Sequence, residues 1–172
     1  MKNTVTLITG GGRSGKSRYA LELTASRGSK IFIATAEAFD DEMADRIHRH
    51  RRERGDAFAT IEEPLRLAEA LAHVPPETEV AVIDCITVWL GNLMHHLHVD
   101  ENHCEPVEQF LSVLASPPCD VVIVTNEVGL GLIPGDALSR AYRDLAGSVN
   151  QKLAAAADAV FLVVSGIPLK IK

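Results

Sequence analysis

Apolar residues along the chain gather in short, nearly unbroken runs: VTLIT at 5–9, KIFIA at 30–34, VAVID at 80–84, DVVIVT at 120–125 and AVFLVV at 159–164. Val and Ile dominate them, and polar residues do not alternate within them. That pattern predicts strands buried on both faces. A further run at 167–171, just after Gly166, predicts a sixth strand entered through a turn. Helical periodicity marks the segments between, at 16–26, 40–54, 64–72, 87–97, 105–115 and 136–157. Strand–helix alternation of this kind builds βαβ units, and hence an α/β fold with a mostly parallel sheet layered between helices. Nothing repeats at a period of 20–50 residues, and no Pro/Gly-rich linker divides the chain. Residues 1–172 are therefore expected to form a single domain. The least regular stretch is HHLHVDENHC at 95–104, expected to be a polar surface connection.

Charge narrows the partners. Seventeen Lys and Arg stand against 23 Asp and Glu, a net charge of −6. A surface of that sign repels nucleic-acid backbone and anionic lipid, so neither is expected as a partner. Cys85, Cys104 and Cys119 are odd in number, far apart and form no CxxC pair, which argues against a disulfide or structural-zinc framework and suits a reducing cytosol. No apolar run approaches the roughly 18 residues of a membrane span. The expected location is the cytoplasm.

The sharpest chemical signal is Gly10-Gly11-Gly12-Arg13-Ser14-Gly15-Lys16-Ser17, a complete G-x-x-x-x-G-K-[ST] set between a predicted strand and a predicted helix. Glycines let the backbone curl so that successive N–H groups face phosphate oxygens. Lys16 can neutralise the β/γ-phosphates, and the Ser17 hydroxyl can ligate Mg²⁺. The bland alternative, a Gly-rich turn that binds nothing, leaves the lysine and serine unexplained. The fold class narrows accordingly to a P-loop NTPase-like domain. Asp84 ends the third predicted strand, where a carboxylate can hold the Mg²⁺ hydration shell; an Asp there can equally be a turn residue. Glu127 follows the fourth strand, again at the carboxyl edge where open α/β sheets bind ligands. Three roles are open to it: activating a substrate hydroxyl, holding metal, or pairing with a neighbouring arginine.

The predicted helix at 40–54 has acids in its first turn and bases in its last, which suits the helix dipole. Met43 and Ile47 make a short apolar stripe, whereas Arg46, His50 and Arg54 recur every four residues on another face; His48 points away from it. Flanking cations disfavour the protonated imidazole, leaving His50 a lone pair with which to attack phosphorus. A solvated, dipole-matched helix explains the same residues without chemistry. His95, His96, His98, His103 and Cys104 match no standard metal-ligand spacing. The last helix carries Arg140, Asp144, Gly147 and Asn150 on one stripe, either lining a ligand groove or facing solvent.

Taken in order, TGGGRSGKS, IATAEAFDDEMADRIHRHRRER, VIDCITVWLGNL, VTNEVGLGLIP, RDLAGSVNQKLAAAAD and VSGIPLKIK resemble the bifunctional adenosylcobinamide kinase/adenosylcobinamide-phosphate guanylyltransferase family of cobalamin synthesis. The likeness runs from the first strand to the last residue. It implies phosphorylation of adenosylcobinamide by a nucleoside triphosphate, ATP or GTP, with Mg²⁺. It further implies transfer of GMP from GTP through a GMP-histidine to adenosylcobinamide phosphate. The family's R-I-x-x-H-x-x-x-R falls on Arg46, Ile47, His50 and Arg54, so the resemblance makes His50 the GMP carrier. It puts nucleotide contacts on Gly10, Gly11, Gly12, Arg13, Ser14, Gly15, Lys16 and Ser17, on Ala34, Thr35 and Ala36, on Arg51, Arg52, Glu53 and Arg54, and on Glu62 and Asp84. It also implies a homo-oligomer, a trimer. Gly12 stands where small residues such as Ala are common in the family, and the histidine-rich loop is peculiar to this chain. A P-loop small-molecule kinase without guanylyl transfer is the second reading. A GTP-binding switch is a third, but the N-K-x-D guanine-reading motif is missing, since Asn126 is followed by Glu127.

Overall fold

The computed structural model describes residues 2–38, 45, 48, 51–52, 55–100 and 104–172. Among these, seven strands form one sheet: β1 (Val5–Thr9), β2 (Lys30–Ala34), β3 (Ala59–Glu62), β4 (Val80–Asp84), β5 (Asp120–Val124), β6 (Ala159–Val164) and β7 (Ile167–Lys170). Their spatial order is β3-β2-β4-β5-β1-β6-β7. Every neighbouring pair is parallel except the β6–β7 hairpin. The helices are α1 (Lys16–Leu23), α2 (Leu67–Ala72), α3 (Ile86–Leu97), α4 (Glu105–Leu114) and α5 (Ala137–Ala156). Of the predicted 40–54 helix, the described residues Asp45, His48, Arg51 and Arg52 are helical.

The unbroken apolar runs are explained by what covers them. Leu7, Ile33, Ile83 and Ile123 point to one face, where Leu71 of α2, Trp89 of α3, Phe110 of α4 and Leu153 of α5 pack on them. The alternate residues Ile8, Phe32, Val82 and Val122 point to the other face, against Ala20 and Tyr19 of α1 and against Phe58 and Val88. A strand sandwiched in this way has no solvent side for polar residues to occupy. Trp89 is fully buried; its indole N–H donates to the Leu65 carbonyl at 2.8 Å and its ring meets Phe110 edge-on.

Strand β3 is the one strand that the apolar pattern does not predict. Its sequence is ATIE, four residues at the sheet edge and largely exposed, so no run of buried residues announces it. The expected strand at 167–171 is present as β7 and turns back antiparallel through Ser165 and Gly166, both left-handed (φ 51° and 83°). Consecutive left-handed residues match the twist of a tight hairpin.

Helix α1 leaves β1 on one face, while α5 follows β5 on the opposite face. Adjacent parallel strands whose following helices diverge open a crevice at their carboxyl ends, where such sheets bind ligands.

Candidate active site at the carboxyl edge of the sheet

Residues 10–17 join β1 to α1 and occupy that crevice. Gly10 (φ 147°) and Gly15 (φ 101°) adopt backbone that side chains rarely tolerate. A Cβ on Gly10 would collide with the Val163 carbonyl oxygen of β6. The turn of the β6–β7 hairpin braces the loop from outside, the Gly166 N–H donating to the Ser14 carbonyl at 2.8 Å. Lys16 is only 5 % exposed. Its ammonium donates to the Gly11 carbonyl at 2.6 Å and to Ser14 Oγ at 3.5 Å, so it lies over the loop it serves. Burial lowers the Lys16 pKa, and the charges of Cys85, Asp84 and Glu127 oppose that shift. Cys85 is itself pushed up to about 11 by burial and stays a neutral thiol at pH 7. The opposing field is then that of Asp84 and Glu127.

Strand order brings those carboxylates in. β4 and β1 flank β5, so Asp84 at the end of β4, Glu127 just past β5 and the loop after β1 share one edge. The Glu127 N–H donates to the Gly10 carbonyl at 3.0 Å. Its Oε1 accepts from Thr9 Oγ1 at 2.6 Å and from Asn150 Nδ2 at 3.3 Å. Asn150 Oδ1 accepts from the Thr125 hydroxyl at 2.7 Å, and its Nδ2 also donates to the Asn126 carbonyl at 3.0 Å. Asn126 in turn donates to Thr87 Oγ1 at 2.7 Å. No Lys or Arg forms an ion pair with Glu127 among the described residues. Of the three roles open to Glu127, pairing with a neighbouring arginine is thereby set aside within that part of the chain.

For a magnesium ion the donor chemistry fits. Ser17 Oγ and the Asp84 carboxylate are hard oxygen donors, and Mg²⁺ bound with phosphates takes only one or two protein ligands beside water. Strand register sets Asp84 level with Val124 of β5 and, through it, with Ile8 of β1, one residue short of that strand's end.

The other expected contacts divide. Ala34, Thr35 and Ala36 follow β2, next to Asp84. Every polar group of Thr35 already has a protein partner. Its N–H donates to the Asp84 carbonyl, its hydroxyl bonds to the Cys85 backbone on both sides, and its carbonyl accepts from Asn92. Glu62 ends β3 and takes an ion pair from Arg51; Arg52 is exposed. That pair sits four strands from β1, about 19 Å away at a strand spacing near 4.8 Å. His50, Glu53 and Arg54, with Arg46, Ile47 and Met43, lie outside the described residues, as does His103.

The rest of the expected chemistry is sorted by its partners. His96 pairs with Glu37, and His95 stacks edge-on against it. No cluster of three potential metal ligands occurs among the described residues. From the polar stripe of the last helix, Arg140 donates to the Pro134 and Gly135 carbonyls and Asp144 pairs with Arg143. Only Asn150 enters the site network. Thr9, Thr125 and Gly166 stand inside the family-like stretches TGGGRSGKS, VTNEVGLGLIP and VSGIPLKIK, but neither pattern nor resemblance gave them a role in the site.

A family model for cobinamide kinase / cobinamide phosphate guanyltransferase matches residues 6–171. The bifunctional adenosylcobalamin biosynthesis protein CobU of Escherichia coli is 41% identical over 179 residues, covering 96% of this chain and 98% of that protein. The protein of the same name from Salmonella typhimurium is 41% identical with the same coverage. The bifunctional adenosylcobalamin biosynthesis protein CobP of Pseudomonas aeruginosa is 41% identical over 168 residues, covering 96% of each chain.

Proposed function

The chain belongs to the cobinamide kinase/cobinamide phosphate guanyltransferase family, and from that premise we propose that it runs both reactions on adenosylcobinamide. In the first, a nucleoside triphosphate (ATP or GTP) phosphorylates the aminopropanol hydroxyl. In the second, GTP guanylylates His50 and the GMP passes to adenosylcobinamide phosphate, giving adenosylcobinamide-GDP. The observation that carries the first step is the meeting of loop 10–17, Asp84 and Glu127 at one crevice of the sheet.

The triphosphate lies along the N–H groups of residues 10–17 and the N-terminus of α1, whose dipole favours anions. Lys16, already desolvated, gives its ammonium to the β/γ-phosphates. Ser17 and Asp84 would hold Mg²⁺, whose charge offsets that of the phosphates. For the second step, the His50 imidazole attacks the α-phosphorus and pyrophosphate leaves. The substrate's phosphate oxygen then attacks the same phosphorus and frees the histidine. Arg46, Arg51 and Arg54 neutralise the charge that each attack gathers. Arg51 and Glu62 lie far across the sheet from loop 10–17 within one chain. His50 therefore meets a loop-bound triphosphate either after its helix folds over the loop or at a neighbouring subunit of the proposed homotrimer. The trimer is checked by light scattering. The protein is expected to work in the cytoplasm.

The test is incubation with Mg²⁺ and α-labelled GTP, denaturation, and counting of protein-bound label. The expected result is an acid-labile, alkali-stable label that is absent from both Lys16→Ala and His50→Ala. Label retained by His50→Ala removes this histidine from the mechanism. A wild type that phosphorylates cobinamide and takes no label is a kinase alone.

A further inference from the structure

We propose that Glu127 is the base of the phosphorylation, accepting the proton of the acceptor hydroxyl on Oε2, with Thr9 and Asn150 as the residues that aim it. The inference rests on the kinase reading above and assigns a residue which that reading leaves without a role.

Its basis is how the carboxylate is held. The backbone of Glu127 is tied to the phosphate loop by its N–H to the Gly10 carbonyl, so any movement of the loop carries Glu127 with it. Both side-chain donors, Thr9 Oγ1 and Asn150 Nδ2, bond to the same oxygen, Oε1. No described residue donates to Oε2. A carboxylate kept only for structure commonly closes an ion pair; this one has none among the described residues and is fixed by neutral groups. Neutral donors on one oxygen orient the group while leaving the other free to take a proton.

The donors are themselves fixed. Thr9 and Asn150 are 6 % and 8 % exposed. Thr125 donates its hydroxyl proton to Asn150 Oδ1, which turns the amide nitrogen toward Glu127. One hydroxyl from β1 and one amide from α5 thus converge on a single carboxylate oxygen. Lys16 bonds to the Gly11 carbonyl of the same loop whose Gly10 carbonyl holds the Glu127 N–H, and its charge interacts with Glu127.

The step balances. The acceptor hydroxyl oxygen forms a bond to the γ-phosphorus, and the bond from that phosphorus to the β–γ bridging oxygen breaks. The nucleoside diphosphate leaves with the electron pair. The hydroxyl proton moves to Glu127 Oε2 and from there to water.

Glu127→Gln keeps the size of the side chain and an oxygen to accept from Thr9, but removes the base. Cobinamide phosphorylation by ATP is followed for wild type and variant, with nucleotide Kd measured separately on a fluorescent analogue. The expected result is a fall in kcat of about 10²-fold or more, the lower range of general-base effects. KM for ATP and the nucleotide Kd should stay within about twofold. Thr9→Val should lower kcat about tenfold at unchanged KM, and Thr9→Ser should restore it. A Glu127→Gln enzyme with kcat within threefold of wild type overturns the assignment. If that variant fails to fold, equal kcat for Thr9→Val and Thr9→Ser overturns it instead. A wild type with no phosphorylation of cobinamide overturns the kinase reading and this assignment with it.

Discussion

Asp120, at the start of β5, accepts the Thr4 N–H at 2.7 Å and the Thr4 hydroxyl at 2.9 Å on one oxygen, and the Arg27 guanidinium on the other. Burial raises its pKa, but those hydrogen bonds and the Arg27 charge outweigh burial and leave it below its ordinary value of 3.8. A carboxylate depressed on folding stabilises the native state above its unfolded pKa, and that stability is lost as pH falls through the folded one. Arg27 is partly exposed, so solvent screens its share and the Thr4 bonds carry most of the effect. Asp120→Asn should cost about 2 kcal/mol at pH 7 in urea unfolding, a range typical of bonds to a charged group. The gap between variant and wild type should narrow as pH drops below 3.8. A gap that persists unchanged at pH 3 would mean that packing, not ionisation, carries the contribution. None of this is legible from DVVIV, where the aspartate is one polar residue before an apolar run. Its partners come from the segment before β1 and the turn after α1.

Elements differ in how openly they announce themselves. The buried strands and α1, α3, α4 and α5 are visible because each must hide a continuous face, and a face that must be hidden is written as a hydrophobic period. β3 has no such face and owes its strand geometry to hydrogen bonds with β2. The loop at 10–17 is legible for another reason: the phosphate-binding chemistry proposed for it needs glycines and a lysine at fixed spacing. What holds the loop is not legible. Gly10 is needed because β6 runs beneath it, and Gly166 braces Ser14 from the far end of the chain. Gly10→Ala should therefore push the loop off β6 and weaken nucleotide binding by at least tenfold in titration, with far-UV circular dichroism unchanged. Gly12, where a Cβ meets nothing within 4 Å, is the control, and Gly12→Ala should bind nucleotide as wild type does. Equal affinity in both variants would show that the close approach to Val163 does not constrain the loop.

At the scale of the whole molecule, one sheet supplies both cores, because alternate residues of the same strands face the two helical layers. Loss of either layer strips the strands of the other. Unfolding should then be a single transition, with Trp89 fluorescence, which reports one face, coinciding with the circular dichroism of the whole. Separate midpoints would mean that the α1 face melts on its own. Among the described residues no helix is long and apolar enough to cross a membrane. Sequence alone determined the α/β class, the strand and helix segments with a hidden face, the G-x-x-x-x-G-K-[ST] pattern at 10–17 and the family, since each is carried by short local stretches. Strand order decided the rest. It seated β5 between β4 and β1, so that Glu127 meets Gly10 and Thr9 across more than a hundred residues of chain. It drew Asn150 onto the same carboxylate and set the Arg51–Glu62 pair at the β3 edge of the sheet, away from that central crevice. Those juxtapositions come from non-local pairing of strands, which a local pattern of polar and apolar residues permits but does not specify.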